Sequence, residues 1–549
     1  MYSIHGLRYR LAHFDPGLAE LRRAAAAMAA VLACYGSSLL IEHLAGLHLD
    51  VVVLAIVLAM TTARIQRAAD LTDRLAGLVV LLAAALAASG ISRLMSACPD
   101  AGDALFVASM FASIWVRRFG QRATRAGTLI VAPLVAVLIM PPSGLPGPGT
   151  LWVALIAFIA WFWVTVLQLL AARTGLAAPP RTAPAGPAAS AGTRGRVPAS
   201  TRMALQMAAA LAAAFAVGRT AWPSHWAWTV LTAFIVCSGA RSRGDVVLKG
   251  ALRGAGAAAG TVVATAIAGT FGPHADASVA VMFAALAVAT WLREFSYAWW
   301  AACVTAVLSL LYRWLGQPPG GLLETRLEGI AAGAALGIAA SWLILPIRTR
   351  DVARRRTADA LATLGELLAA DWHDPAALHS HQIAFRHAVT RLGQIAPALR
   401  AQRLLLSPLR ASRSPALRPA DAIDAIEHSE FSARALVSAA AADRSATADP
   451  CIRQLNEAVA ANITAARRAI GRRPGAAYQA AIPGTCPALA RDRDGGTGTN
   501  HHKPASHGKV LQALAGIDTA LATVCFAYGA PQAPPARPTA SADPRARDE

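Results

Sequence analysis

The chain has 549 residues, of which 55% are hydrophobic and only 15% charged, with a formal net charge of +20. A soluble chain of this length would spread charge over several domain surfaces, yet residues 24–41, 75–92, 126–172, 295–312 and 329–347 hold no charged side chain. That excludes an ordinary soluble enzyme. The basic residues stand in short segments beside the apolar runs, with no helix-turn-helix, zinc-finger or aromatic-basic RNA module, so nucleic acid is set aside as a partner.

A bilayer core about 30 Å thick takes roughly 20 apolar residues in a helix. Residues 1–22 form a charged cytoplasmic leader in which Asp15-Pro16 reads as the N-cap and first position of a short surface helix. No cleavable signal peptide is expected, and the first apolar run serves as a retained anchor. Twelve spans follow, near 23–41, 50–63, 75–93, 104–116, 125–141, 151–172, 203–218, 222–240, 254–272, 277–292, 295–312 and 328–347. The intervening loops alternate in charge. Seventeen Arg and Lys fall in inner loops, among them Arg64, Arg117, Arg125, Arg241, Arg243, Lys249, Arg253 and Arg293. Four fall in outer loops: Arg93, Arg219, Arg313 and Arg326. This bias predicts that both termini are cytoplasmic.

The expected fold is thus all-α: a polytopic membrane protein of about twelve transmembrane helices. They form two parallel six-helix repeats, 23–172 and 203–347, followed by a C-terminal cytoplasmic helical domain. Six spans per half is an even number, so both halves share an orientation. Residues 173–202 between them, with Pro179, Pro180, Pro184, Pro187 and Pro198, read as a flexible cytoplasmic linker. Over 348–528 apolar residues recur at helical spacing: Leu361, Leu364, Leu368; Phe385, Val389, Leu392; Leu455, Val459, Ile463; Val510, Leu514, Ile517, Leu521, Val524. These are amphipathic helices of the cytoplasmic domain, interrupted by a Gly/His/Asp-rich loop near 491–508. The tail 529–549, rich in Pro and Ala, reads as disordered. Seven scattered cysteines without a CxxC pair imply neither disulfides nor zinc.

Residues 222–261, WPSHWAWTVLTAFIVCSGARSRGDVVLKGALRGAGAAAGT, combine a Trp-rich span, a basic segment and a glycine-rich helix. The segment resembles the second transmembrane half of the FUSC family, the fusaric-acid-resistance and aromatic-acid-exporter group related to aluminium-activated malate transporters. The resemblance rests on Trp228 and Thr232, on Arg241, Arg243, Lys249 and Arg253, and on Gly256, Gly260 and Thr261. It covers 203–347, with 23–172 as a degenerate copy. It implies a bacterial inner (cell) membrane location, an organic-anion substrate of the fusaric-acid or hydroxybenzoate type, and a possible periplasmic adaptor and outer-membrane channel as partners.

Asp245, Lys249 and Arg253 are four residues apart and share a helical face. With Arg241 and Arg243 they are candidate substrate-binding residues, because cations at an inner mouth can hold carboxylates by charge-assisted hydrogen bonds. The other reading is that they fix topology and pair with Asp245. Trp226 and Trp228 are candidates for stacking an aromatic substrate or for anchoring at the headgroups. Gly250, Gly254, Gly256 and Gly260 leave a smooth strip for close helix contact. Spans four and ten, the shortest apolar stretches, stand at matching positions and point to a transport site.

Carboxylates stand only at span ends, at Asp50, Asp73, Asp245, Glu294 and Glu328, of which Asp73 and Asp245 are the coupling candidates. The histidines His379, His381 and His387 lack a metal-ligand arrangement, and no Walker A motif exists. Neither a metal, a cofactor nor enzymatic activity is expected. The function expected is an inner-membrane secondary exporter of small organic anions, driven by proton or membrane potential, with a homo-oligomer among the expected partners. The alternatives are a passive anion channel and a membrane scaffold or sensor acting through its C-terminal domain.

Overall fold

The computed structural model describes residues 15, 18–46, 50–66, 70–139, 149–175, 197–268, 274–293, 295–315, 322–406, 418–442, 449–474, 477–481 and 505–530. Most of the leader, the greater part of the linker, the 491–508 loop up to 504 and the tail from 531 lie outside them, as do Glu294 and the side chain of Asp50. The chain divides into two compact units, Met1–Ile347 and Arg348–Glu549.

Among the described residues of the first unit are twelve α-helices: α1 (Ala19–Ala45), α2 (Asp50–Ile65), α3 (Leu71–Ala97), α4 (Pro99–Trp115), α5 (Gln121–Ile139), α6 (Thr150–Arg173), α7 (Ala199–Ala221), α8 (Trp226–Cys237), α9 (Arg243–Ala268), α10 (Asp276–Leu292), α11 (Tyr297–Trp314) and α12 (Leu322–Leu343). Six of them, α1, α3, α5, α6, α7 and α9, are long and apolar enough to cross a membrane, and α2, α8 and α10 are shorter apolar helices. The protein is therefore an all-helical, multi-pass membrane protein.

Helix ends follow from local chemistry. The Asp15 carboxylate accepts the backbone N–H groups of Glu20 and Leu21, at 3.1 and 2.9 Å, satisfying donors that the first turn of α1 would leave free. Gly46, with φ 60°, closes that helix in the left-handed region. Pro99 opens α4, where no intrahelical N–H bond is lost.

Packing partners recur at an interval of six helices. The trio α1, α2 and α6 pack on one another, as do α7, α8 and α12. Likewise α3 meets α5 and α6, and α9 meets α11 and α12; α4 meets α5, and α10 meets α11. Between the halves, α4 rests on α7, α10 on α1 and α5 on α8. The first half adds contacts of its own, α2 on α5 and α3 on α4.

Three boundaries differ from the sequence expectation. Helix α9 begins at Arg243 and not near 254, so Lys249 and Arg253 are intrahelical residues instead of loop residues. Helix α12 begins at Leu322, which moves Arg326 out of an outer loop and into the helix. Span eight shrinks to the 12 residues of α8, between a turn at Trp222–His225 and an extended Ser238.

The second unit holds α13 (Thr349–Ala369), α14 (Pro375–Gly393), α15 (Ala396–Leu406), α16 (Pro419–Ala442), α17 (Pro450–Ile470) and α18 (Ala505–Ala527). Asp374 and Asp449 cap α14 and α17 ahead of a proline at the first helical position. All the apolar stripes read from the sequence meet in one core. Helix α18 is apolar enough to cross a membrane, but 56% of its apolar window is buried, and it packs on α16 and α17. Cys451 is disulfide-bonded, contrary to the expectation that the cysteines imply none.

Candidate functional site

At the start of α9 the basic residues take part in local contacts. The Asp245 carboxylate accepts the Arg241 N–H at 2.9 Å, and the Asp245 N–H reaches the Ser242 hydroxyl at 3.4 Å, a local cap for the helix. The Lys249 ammonium donates to the Ser238 carbonyl, tying the loop after α8 to the second turn of α9. Arg243 donates its N–H to the Ile347 carbonyl, and its guanidinium lies 4.6 Å above the Trp342 ring. Arg241 is exposed. Of the four basic candidates, these three organise the entry to α9.

Arg253 differs. It sits ten residues into α9, about 15 Å along the axis, and its relative exposure is 1%. Glycines bring it there. A Cβ on Gly256 would come within 2.7 Å of the Ala301 Cβ and 2.8 Å of the Ala298 carbonyl oxygen, and one on Gly260 would run into the Ala302 carbonyl. Close approach of α9 to α11 therefore requires both. Gly250 faces Ile338 of α12 and Gly254 faces open space, so the four-glycine strip divides between two directions.

Across this seam, Arg253 Nη1 points at the Thr305 hydroxyl at 3.4 Å, while its Nε and Nη2 have no partner among the described residues. Arg326, 2% exposed, also addresses Thr305, donating from Nη1 to the Ser309 hydroxyl at 2.5 Å and from Nη2 to the Thr305 carbonyl at 2.9 Å. Its guanidinium stacks 4.4 Å above the Trp228 ring, which in turn meets Tyr312 edge-on at 5.5 Å. Tyr297 acts on Arg253, and Arg253 and Tyr312 act on Arg326, with no carboxylate among these described residues. A charge at the centre of a membrane-spanning helix costs about 2.5–3.5 kcal/mol or more and is ordinarily paired or functional.

Arg253 also lines a cavity of about 1110 Å3 between the halves. Its walls are largely apolar and aromatic, with Phe234 from α8, Phe283 from α10 and Trp300 and Trp314 from α11. The lining runs from Asp276, the first residue of α10, to Arg293 just past its end, about 25 Å of helix. Arg64 and Arg293 stand at one end and Asp276 at the other, the one carboxylate among the described lining residues.

Of the eight residues singled out in the sequence, only Arg253 lines this cavity. Trp228 is 6% exposed beneath Arg326, and Trp226 is half-buried with Arg219 4.5 Å above its ring. Asp73 is ion-paired with Arg122 and Arg125. Helix α10 contributes to the cavity and α4 does not, and α2 and α8 are shorter than either.

Arg326 and Asp103 were missed. Asp103, 8% exposed in α4, makes a two-point ion pair with Arg219. A signal for Arg326 did exist. It falls three, seven and eleven residues before Gly329, Gly333 and Gly337, in register with the small-residue face that packs on α8.

Residues 203–340, from the start of α7 to the last turn of α12, match the family model described as fusaric acid resistance protein-like. No curated protein matches the chain. With several apolar helices, that match suggests a membrane transporter.

Proposed function

We propose that this chain, whose residues 203–340 match the fusaric acid resistance protein-like family model, is a FUSC-type inner-membrane secondary exporter of small organic anions, aromatic carboxylates foremost, driven by the proton or membrane potential. The observation that carries the reading is the apolar, aromatic cavity of about 1110 Å3 with the buried guanidinium of Arg253 in its wall. Ligand sites are of this kind, mostly apolar with a few polar groups that fix orientation. Twelve spans in two parallel repeats are part of the proposal, supported by the six-helix recurrence of packing partners. So are cytoplasmic termini, supported by the basic inner loops. A periplasmic adaptor and outer-membrane channel are the partners implied by the family likeness.

The test is export of radiolabelled benzoate from loaded cells or inverted vesicles, normalised to protein level. Accumulation against the gradient that collapses with an uncoupler is expected; absence of transport for a panel of aromatic acids would defeat the reading. A passive channel is the second reading, favoured by a cavity lining that runs the length of α10. It would carry benzoate downhill only, with or without uncoupler.

A further inference from the structure

We propose that Arg253 and Arg326 form one anion-recognition site: two guanidinium groups meeting at Thr305 that take the carboxylate of an organic anion whose apolar body lies in the cavity. The proposal deepens the exporter reading, and rests on it for the claim that the bound anion is cargo.

Three observations converge. Both guanidinium groups address the same residue of α11, Arg253 the Thr305 hydroxyl and Arg326 the Thr305 carbonyl. Each leaves donors unused: Nε and Nη2 of Arg253 and Nε of Arg326 are buried and have no partner among the described residues. A guanidinium is a planar fork matched to a carboxylate, and its unused N–H groups cannot be satisfied by apolar walls.

The second observation is charge. Two like charges are buried near each other, and among the described residues the further titratable groups acting on them are tyrosine hydroxyls. Breaking or omitting the counter-charge of a buried ion is strongly unfavourable, so the pair is incomplete without an anion. Other cations here are answered by the chain, Arg219 by Asp103 and Lys249 by the Ser238 carbonyl. The third observation is location. Val304 and Leu308, which flank Thr305 on α11, line the cavity together with Arg253 and Phe234, so the anion's apolar part has somewhere to go.

The experiment uses the full-length protein purified in detergent and follows thermal unfolding with sodium benzoate, neutral benzamide and sodium chloride, at matched ionic strength. Benzoate is expected to raise the Tm saturably in the wild type. Arg253→Gln and Arg326→Gln are expected to weaken that response about ten- to hundred-fold. Without anion, Arg253→Gln should melt no lower than wild type, because it removes one of two repelling charges and only one long hydrogen bond.

If Arg326→Gln fails to insert, Arg326→Lys keeps the charge and loses the fork, and the same direction of loss is expected. Equal protection by benzamide, equal protection by chloride, an unchanged benzoate response in the variants, or a much lower Tm for Arg253→Gln would each overturn the site. Transport separates the two claims. Benzoate export unchanged in both variants would remove the site and leave the exporter; benzoate binding that needs both arginines, without export by the wild type, would do the reverse.

Discussion

Asp103 and Arg219 meet in a two-point ion pair, Nε to Oδ2 at 2.5 Å and Nη2 to Oδ1 at 2.7 Å, and the guanidinium also covers Trp226. The pair joins α4 to α7, one of the contacts between the halves. Asp103→Asn or Arg219→Gln should each lower stability by about 1.5–3 kcal/mol, the worth of a charged hydrogen-bonding partner. The double variant should cost less than the sum, because once one ion is gone the other gains by leaving. Thermal unfolding of the four proteins in detergent checks this, and strict additivity would mean that the pair is not coupled. This residue escaped the sequence reading because span four was begun one position after it. Arg326 escaped for a related reason, since flanking Glu324 and Glu328 gave it the look of a loop. Hydropathy measures composition, and neither residue's burial is compositional: each sits in a gap that a neighbouring helix closes.

Helix α9 contrasts two glycines six residues apart. A Cβ at Gly260 would collide with the Ala302 carbonyl, whereas at Gly254 nothing lies within 4 Å. Gly260→Ala should therefore force α9 off α11 at about 1–3 kcal/mol, as overpacking does, and weaken any function that depends on Arg253. Gly254→Ala should be neutral or slightly stabilising, since alanine is the better helix former. Equal effects in thermal unfolding would show that the α9–α11 seam is not as close as these contacts require. The strip itself was legible in the sequence from its spacing; which glycine met which helix depended on the partner, and was not.

Helix α18 shows the converse, an apolar helix organised by one buried polar group. Asp518 accepts from Asn462 Nδ2 at 2.7 Å, from the Tyr478 hydroxyl at 2.8 Å and from the Ala481 N–H at 3.0 Å. Burial, followed by the bond to Asp518, pushes the Tyr478 phenol above its ordinary range. Tyr478→Phe leaves that carboxylate one donor short and should cost about 1–3 kcal/mol. Asp518→Asn should be tolerated better than Asp518→Leu, which would orphan three donors together. If Leu were the milder change in chemical denaturation, the network would not be what holds residues 477–481 to the core.

At the scale of the whole molecule, orientation turns on the shortest helix. Helix α8 has 12 residues, about 18 Å of rise against a hydrocarbon core of about 30 Å. It can count as a span because α7 and α12 flank it and Val230, Leu231, Ala233 and Val236 are buried against protein, so lipid need not meet its ends. If it counts, twelve spans return the chain after Ile347 to the side from which α1 starts, and the alternation of basic loops holds. If it does not, everything from Arg243 onward reverses, which would put the arginine-rich start of α9 outside and the second unit in an oxidising compartment. The disulfide at Cys451 is the observation that favours this reversal, since such bonds persist where the surroundings oxidise. Reporter fusions decide between them. Fusions after Gly120, Gly239 and Arg350 should report cytoplasm, and those after Gly46, Cys98 and His274 periplasm. A periplasmic signal at both Gly239 and Arg350, with the first-half fusions unchanged, would remove α8 from the spans and with it the parallel six-helix repeat.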